Sequence, residues 1–145
     1  MIRDAETGDL GALAAILGGW CRDTDWMPKL HSADEDLWFV GQLQTRGVLR
    51  VADRPALGFL ARRGAEVDAL FVAPEGRRAG LGHALMAEAM GSEDHLWLWT
   101  FGANLQARAF CASLGFYETG RTDGRDNEER LPDVRLEWRR HGAAS

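Results

Sequence analysis

In the stretch VAPEGRRAGLGHALM, residues 72–86, two arginines and two glycines stand between an apolar run and a helix-like segment. Arg77, Arg78, Gly80 and Gly82 suit an anion there better than they suit packing. A helix start leaves backbone N–H groups unpaired and carries partial positive charge, and an anion satisfies both. Glycine lets the backbone approach a phosphate closely and take up positive φ. Arginine adds charge-assisted hydrogen bonds. The spacing Arg-x-x-Gly-x-Gly follows a strand-like run and precedes a helix, the context that separates a phosphate loop from an ordinary glycine turn. A Walker loop is excluded, because Gly82 is followed by His83. A dinucleotide fingerprint is excluded, because it needs a third glycine and a parallel unit that opens the fold.

The elements that must position this loop follow from periodicity and punctuation. Residues 2–6 read as a first strand, and Thr7 or Asp9 as the cap of a helix carrying Leu10, Leu13, Ala14 and Leu17. Gly18-Gly19 is expected to weaken the end of that helix. Residues 20–36 read as a shaped loop, and Ser32 or Asp34 as the cap of a second helix that Gly47 stops. Strands are expected over 48–53, 56–63 and 66–73, joined by short hairpin turns. A helix over about 81–90 and a strand over 95–101 follow. In that strand Leu96 and Leu98 alternate with Trp97 and Trp99, so both of its faces look covered. A helix over 104–114 and two strands around an acidic loop close the chain. The strand–helix–strand unit over 66–101 needs a crossover, which favours parallel neighbours. The fold class expected is α/β (α+β): a mixed, largely antiparallel seven-stranded sheet flanked by about four helices.

Composition narrows the function. The 145 residues suit one domain, 1–145, with one core. The net charge of -5 disfavours nucleic acid, whose binding depends on many cationic contacts. No apolar run approaches the roughly 20 residues of a membrane span, and the start lacks a secretory apolar core, so a cytoplasmic protein is expected. Cys21 and Cys111 form no metal pattern, and no metal is expected.

At this point the chain resembles the GCN5-related N-acetyltransferase (GNAT) superfamily. Its phosphate loop, Gln/Arg-x-x-Gly-x-Gly/Ala, is matched by Arg77, Gly80 and Gly82. A second pattern, Asn-x-x-Ala-x-x-Phe-Tyr-x-x-x-Gly-Phe, is matched by Asn104, Ala107, Phe110, Gly115 and Phe116. The resemblance implies an acetyl-coenzyme A site as acyl donor, in a sheet splayed after the strand that begins at Glu66. Backbone groups of Phe71, Val72 and Ala73 would pair with the pantetheine arm. Amides over Arg78, Ala79, Gly80, Leu81, Gly82 and His83 would hold the pyrophosphate, and Asn104 would contact the arm from the next helix. One departure stands out. The family often has tyrosine after the Phe110 position, as acid for the departing thiolate, and here that residue is Cys111.

Acetyl transfer to an amine needs a neutral nitrogen, so a base or a water chain helps. Glu66 and Asp68 share a strand face by period-2 alternation, and either is a candidate base, set against the reading that both are solvated edge carboxylates. Positioning with a carbonyl-polarising N–H is a further alternative. Asn104, Arg108 and Cys111 stand at i, i+4 and i+7, so Cys111 should face the donor if Asn104 does. It is then an inert filler, a weak proton donor or a nucleophile. In the loop that lines the acceptor site of the family, Trp26 is the best pocket residue, with His31 a weaker one. Trp20, Trp97 and Trp99 are further wall candidates, of which Trp97 or Trp99 suits the core. The acidic segment over 122–133, with Asp126 at its centre, reads as a solvated loop or as a rim for a cationic amine. The function expected is direct N-acetyl transfer to a small cationic or amino-acid-like amine, with a homodimer as a further expectation. The rivals are a non-catalytic coenzyme A sensor and a protein lysine or N-terminal acetyltransferase.

Overall fold

The computed structural model describes residues 1–140, apart from the side chain of Arg78. Seven strands, β1 Ile2–Asp4, β2 Val48–Ala52, β3 Gly58–Arg63, β4 Glu66–Val72, β5 His95–Phe101, β6 Tyr117–Thr122 and β7 Asp133–Arg139, form one sheet in the order β1-β2-β3-β4-β5-β7-β6. Four α-helices flank it: α1 Leu10–Asp23, α2 Ala33–Arg46, α3 Leu81–Ser92 and α4 Leu105–Ser113. All neighbouring strands are antiparallel except β4 and β5. The mixed, largely antiparallel sheet expected from the sequence is the observed one.

The core has two layers, one on each side of the sheet. Leu13, Val40, Leu43, Val51, Phe59 and Ala69 lie under α1 and α2. Leu60, Val67, Leu85, Met86, Leu96, Leu98 and Leu136 lie under α3 and α4. Each fully buried Val, Leu, Met or Phe among them contributes about 1.5–3 kcal/mol. Period-2 alternation sends Phe59 to the first layer and Leu60 to the second.

Four local expectations are corrected. Asp9, one of the two expected caps, stands at the N-cap of α1, but its side chain makes no cap hydrogen bond there. Residues Thr7–Asp9 form a 3-10 turn, and the Asp9 carboxylate accepts the Glu6 N–H at 2.7 Å while pairing with Arg3 at 2.7 and 2.8 Å. Gly18-Gly19 does not end α1, which runs on to Asp23. A Cβ on Gly18 would lie 3.1 Å from the Asp36 carboxylate, so this glycine allows α1 and α2 to approach closely. The segment before α3 is a 3-10 turn, Pro74–Ala79, rather than an open loop. Finally, β5 is covered on one face only. Leu96 and Leu98 are buried, whereas Trp99 is 42% exposed and Trp97 lies half-buried beneath the Arg135 guanidinium, 4.6 Å from its ring centre. Helices α1 and α2 pack over β2 to β4 and leave that face of β5 and β7 uncovered.

Two features position the site. β4 carries a bulge: Ala61 faces Ala69 and Arg62 faces Val67, so Asp68 is the extra residue. A bulge re-aims the strand beyond it. Then β4 and β5 pair at Glu66↔Trp97, with the Trp97 N–H donating to Ala65 O at 2.9 Å, and at no other position among the described residues. Beyond Glu66 the two strands diverge and leave a slot between them.

Candidate active site

The slot exposes the inner edge of β4. Ala73 N–H donates to Leu57 O at 2.7 Å, on the side away from β5. Alternation along the strand then turns the backbone groups of Leu70 and Val72 toward the slot, and those of Phe71 toward β3. Of the three residues expected to carry a pantetheine arm, Val72 therefore presents its edge. Its carbonyl accepts Arg77 Nε at 3.3 Å.

At the slot's far end stands the start of α3. Its N-cap, Gly80, is left-handed at φ 73, and no side chain caps the first turn. The first-turn amides of Leu81, Gly82 and His83 are thus without a side-chain acceptor, as an anion site requires. Nothing lies within 4 Å of where a Gly80 Cβ would be, and a Gly82 Cβ would meet only Val72 and Phe110, at 3.6 and 3.8 Å. Internal packing therefore leaves the space over Gly80 open, while Gly82 packs its bare Cα side against Val72 and Phe110, and the uncapped amides form a donor set that fits a pyrophosphate. Ala79 and His83 are exposed beside it. Asn104 caps α4, its Oδ1 accepting Ala107 N–H at 3.0 Å, and only its amide N–H groups remain to reach outward.

The face of the slot toward α1 and α2 is walled by aromatics. Trp20 packs edge-on against Phe71 of β4 at 5.3 Å and against Trp26 at 5.8 Å, and Trp26 meets Phe101 of β5 at 5.8 Å. Trp26 thus bridges the two diverging strands. Phe101 was not singled out in the sequence. Only its place at the end of β5, where the slot is widest, marks it.

Next to that wall, His31 joins two loops. Its Nδ1 lies 3.4 Å from Glu35 at the start of α2, and its Nε2 lies 3.0 Å from Glu128 between β6 and β7. A neutral imidazole donates from one nitrogen only, so holding both carboxylates requires the charged form. Partial burial works against that charge, but the Glu35 hydrogen bond and the Glu128 charge outweigh it, and the pKa of His31 is raised. Asp126, by contrast, is exposed and has no ion-pair partner among the described residues; Glu128 is the residue of that loop that reaches the site.

The acids of β4 are brought together by a residue the sequence reading passed over. Arg63, at the end of β3, donates from Nε to Asp68 at 2.8 Å and from Nη2 to Asp68 at 2.9 Å and Glu66 at 3.0 Å. Glu66 and Asp68 therefore lie on one side, where Asp68 is placed by the bulge and not by simple alternation. The pairing of Arg63 with Glu66 across a two-residue hairpin was the available signal. Asp68, whose hydrogen bonds come first, and Glu66 together raise the pKa of Arg63.

Cys111 is elsewhere. It is buried in the core under α3 and α4, and burial pushes its thiol up to about 11. Arg108 turns instead to Gly102 O at 3.0 Å. Tyr117 is exposed on β6. A separate cleft of about 310 Å³ lies against α3 and β2, but its Arg50 is already matched to Glu88 at 2.7 Å and Asp4 at 2.9 Å. Among the described residues no group of side chains is arranged to hold a metal, and no helix is long and apolar enough to cross a membrane.

The sequence model of the Acetyltransferase (GNAT) family matches residues 13–116. The chain belongs to the GNAT acetyltransferase family. Within it, this GNAT chain is 30% identical over 126 residues to peptidyl-lysine N-acetyltransferase YjaB of Escherichia coli (strain K12), covering 82% of this chain and 85% of the relative. The solution structure of apo-form YjaB superposes with a TM-score of 0.71 at 28% identity, over 95% of this chain and 96% of that one. The fold is shared with a ribosomal-protein-alanine N-acetyltransferase from Brucella melitensis, at TM-score 0.74, 21% identity and coverage of 96% and 99%. It is shared too with a phosphinothricin acetyltransferase from Sinorhizobium meliloti in complex with AcCoA, at 0.70, 21%, 100% and 91%. The names of these GNAT proteins point to a lysine side chain, a protein alanine and a small molecule, so fold alone does not select the acceptor.

Proposed function

We propose that this chain moves an acetyl group from acetyl-coenzyme A directly to the primary amine of a small cationic or amino-acid-like acceptor. The observation that carries the small-acceptor reading is the closure of the acceptor side. Trp26 bridges β4 and β5 through Trp20 and Phe101, and His31 ties the α1–α2 connection to the β6–β7 loop. A flat polypeptide surface does not fit against a wall closed in this way. The two joined segments, 23–36 and 122–133, hold ten of the chain's 22 acidic residues and three of its 17 basic ones, which favours a cation.

The donor supplies an acetyl thioester. The amides of Leu81, Gly82 and His83, with Arg77, would bind its pyrophosphate, and the inner edge of β4 at Leu70 and Val72 would hold its arm as an added strand would. Glu66 takes the proton from the acceptor's ammonium at its carboxylate, directly or through water, and so leaves a neutral nitrogen. Trp26 and Trp20 exclude water from the acceptor side and orient the amine. Cys111, with a thiol held near 11 by burial, fills the core and takes no part.

The second reading is acetylation of a lysine side chain in a polypeptide. The likeness to YjaB favours it, and a lysine side chain is slender enough to pass the same wall. An amine panel with acetyl-coenzyme A, followed by thiol release, decides between them. Free cationic amines and amino acids should turn over faster than lysine-containing peptides. Faster release with the peptides would establish the second reading, and release with neither would favour a sensor.

A further inference from the structure

The two carboxylates of β4 are held unequally, and the inequality points to a role for Arg63. The residue ends β3 and faces Glu66 in register. Its Nε and Nη2 take Asp68 Oδ2 and Oδ1 at 2.8 and 2.9 Å, a two-point contact that engages both oxygens of that acid. The same Nη2 reaches Glu66 at Oε1 only, at 3.0 Å. A carboxylate with both oxygens engaged by one guanidinium has neither of them turned toward an incoming amine. A carboxylate held at one oxygen is fixed in direction and keeps the other for chemistry. The unequal grip depends on the bulge: the extra residue it inserts is Asp68, which comes within reach of the same guanidinium that faces Glu66. Glu66 itself sits at the pairing with Trp97, the inner end of the slot.

We propose that Arg63 is the positioning residue for Glu66 and that Asp68 is its anchor, so that Glu66 Oε2 is left open to take the acceptor's proton. The inference rests on Glu66 being the base. In the step, an N–H bond of the acceptor ammonium breaks and an O–H bond forms at Glu66 Oε2; Arg63 keeps its own protons. Asp68 acts through Arg63 alone. If the anchor is removed, the guanidinium turns both donor edges on Glu66 and covers the open oxygen.

The test is a set of variants of the whole chain, each first shown by circular dichroism and melting to be folded. Each is assayed for kcat and for the KM of an amine that the panel has identified. Asp68→Ala should lower kcat about tenfold or more with little change in KM, because a masked base slows the proton step and leaves binding alone. Asp68→Asn should do the same, should the alanine variant fold poorly. Arg63→Met added to Asp68→Ala should then raise kcat back to the level of Arg63→Met alone, above that of Asp68→Ala, since Glu66 is uncovered but no longer positioned. Arg63→Lys, which keeps the charge without the fork, should fall between wild type and Arg63→Met. A purely structural ion pair predicts the opposite for the double variant, a rate no better than the worse single one, and that result overturns the proposal. So does wild-type kcat in folded Asp68→Ala. Glu66→Gln separates the two levels. Wild-type kcat in that variant removes the base reading itself, whereas loss of activity there without recovery in the double variant removes only the role of Arg63.

Discussion

Replacing Cys111 tests whether the position that follows Phe110 on α4 has any part in the chemistry. Its side chain is 4% exposed, among Leu85, Met86, Phe116 and Leu136, and its thiol is held at about 11. At pH 8 that leaves roughly one thiolate in a thousand molecules, too few for a nucleophile. Cys111→Ala removes one large buried atom and should cost about 1–2 kcal/mol of stability, from lost burial plus a small cavity. It should leave kcat and both KM values within twofold. Cys111→Tyr should not supply a useful phenol. It forces a ring into a filled core and should cost about 1–3 kcal/mol. Urea unfolding gives the stabilities, thiol release the rates, and intact mass after incubation with acetyl-coenzyme A alone shows whether the cysteine is acylated. An acetyl group found on Cys111, together with an inactive but folded Cys111→Ala, would refute the reasoning and make the reaction a two-step transfer.

Three more outcomes are expected. Gly80→Val, at a left-handed φ of 73, should add backbone strain of about 1–2 kcal/mol. It should also abolish measurable acetyl-coenzyme A binding in calorimetry, and unchanged affinity in the folded variant would sink the phosphate-loop assignment. Asp9, lowered from 3.8 to about 2 chiefly by its Arg3 hydrogen bond, contributes stability present above pH 4 and lost as pH falls toward 2. Asp9→Asn should cost about 2 kcal/mol at pH 7 by urea unfolding, and only about 0.4 kcal/mol at pH 2, where the folded group is half protonated. His31, whose pKa is raised, holds its two loops fully below pH 6.5 or so and releases them as pH rises past its folded value. The acceptor KM should therefore climb with pH in wild type and stay flat in His31→Phe.

The positions of the strands, and of the helix that follows the Arg-Gly segment, were legible because each is marked locally, by alternation or by Gly and Arg at fixed spacing. Of the two caps expected for α2, Ser32 or Asp34, Ser32 is the observed one, and Glu35 completes a capping box with it. What failed was any reasoning that carried a helical or strand period past a place where the backbone leaves it. Asn104 is an N-cap whose Oδ1 turns back to Ala107 N–H, while Cys111 is buried in the core, so the helical spacing does not bring their side chains to one place. The bulge at Asp68 breaks the period in β4, although Glu66 and Asp68 still lie on one side, as expected, held there by Arg63. Gly18 read as a helix breaker because nothing local reveals that α2 crosses there. The aromatic wall and the His31–Glu128 contact join segments that lie far apart in the chain, and their partners are set by the fold.

The near-absence of pairing between β4 and β5 also governs how the molecule comes apart. The sheet is in effect two ribbons, β1 to β4 and β5-β7-β6, with one rung between them. Their mechanical continuity rests on the apolar layer beneath α3, which takes residues from both ribbons, with the Trp20–Trp26–Phe101 contacts and the His31–Glu128 pair on the other face. Such a body has two units that can open to solvent hydrogen exchange separately. A ligand lying along β4 supplies the missing rungs. Donor binding would then be felt as slower exchange in β5 and β7 as well as in β4, and the two ribbons would melt as one.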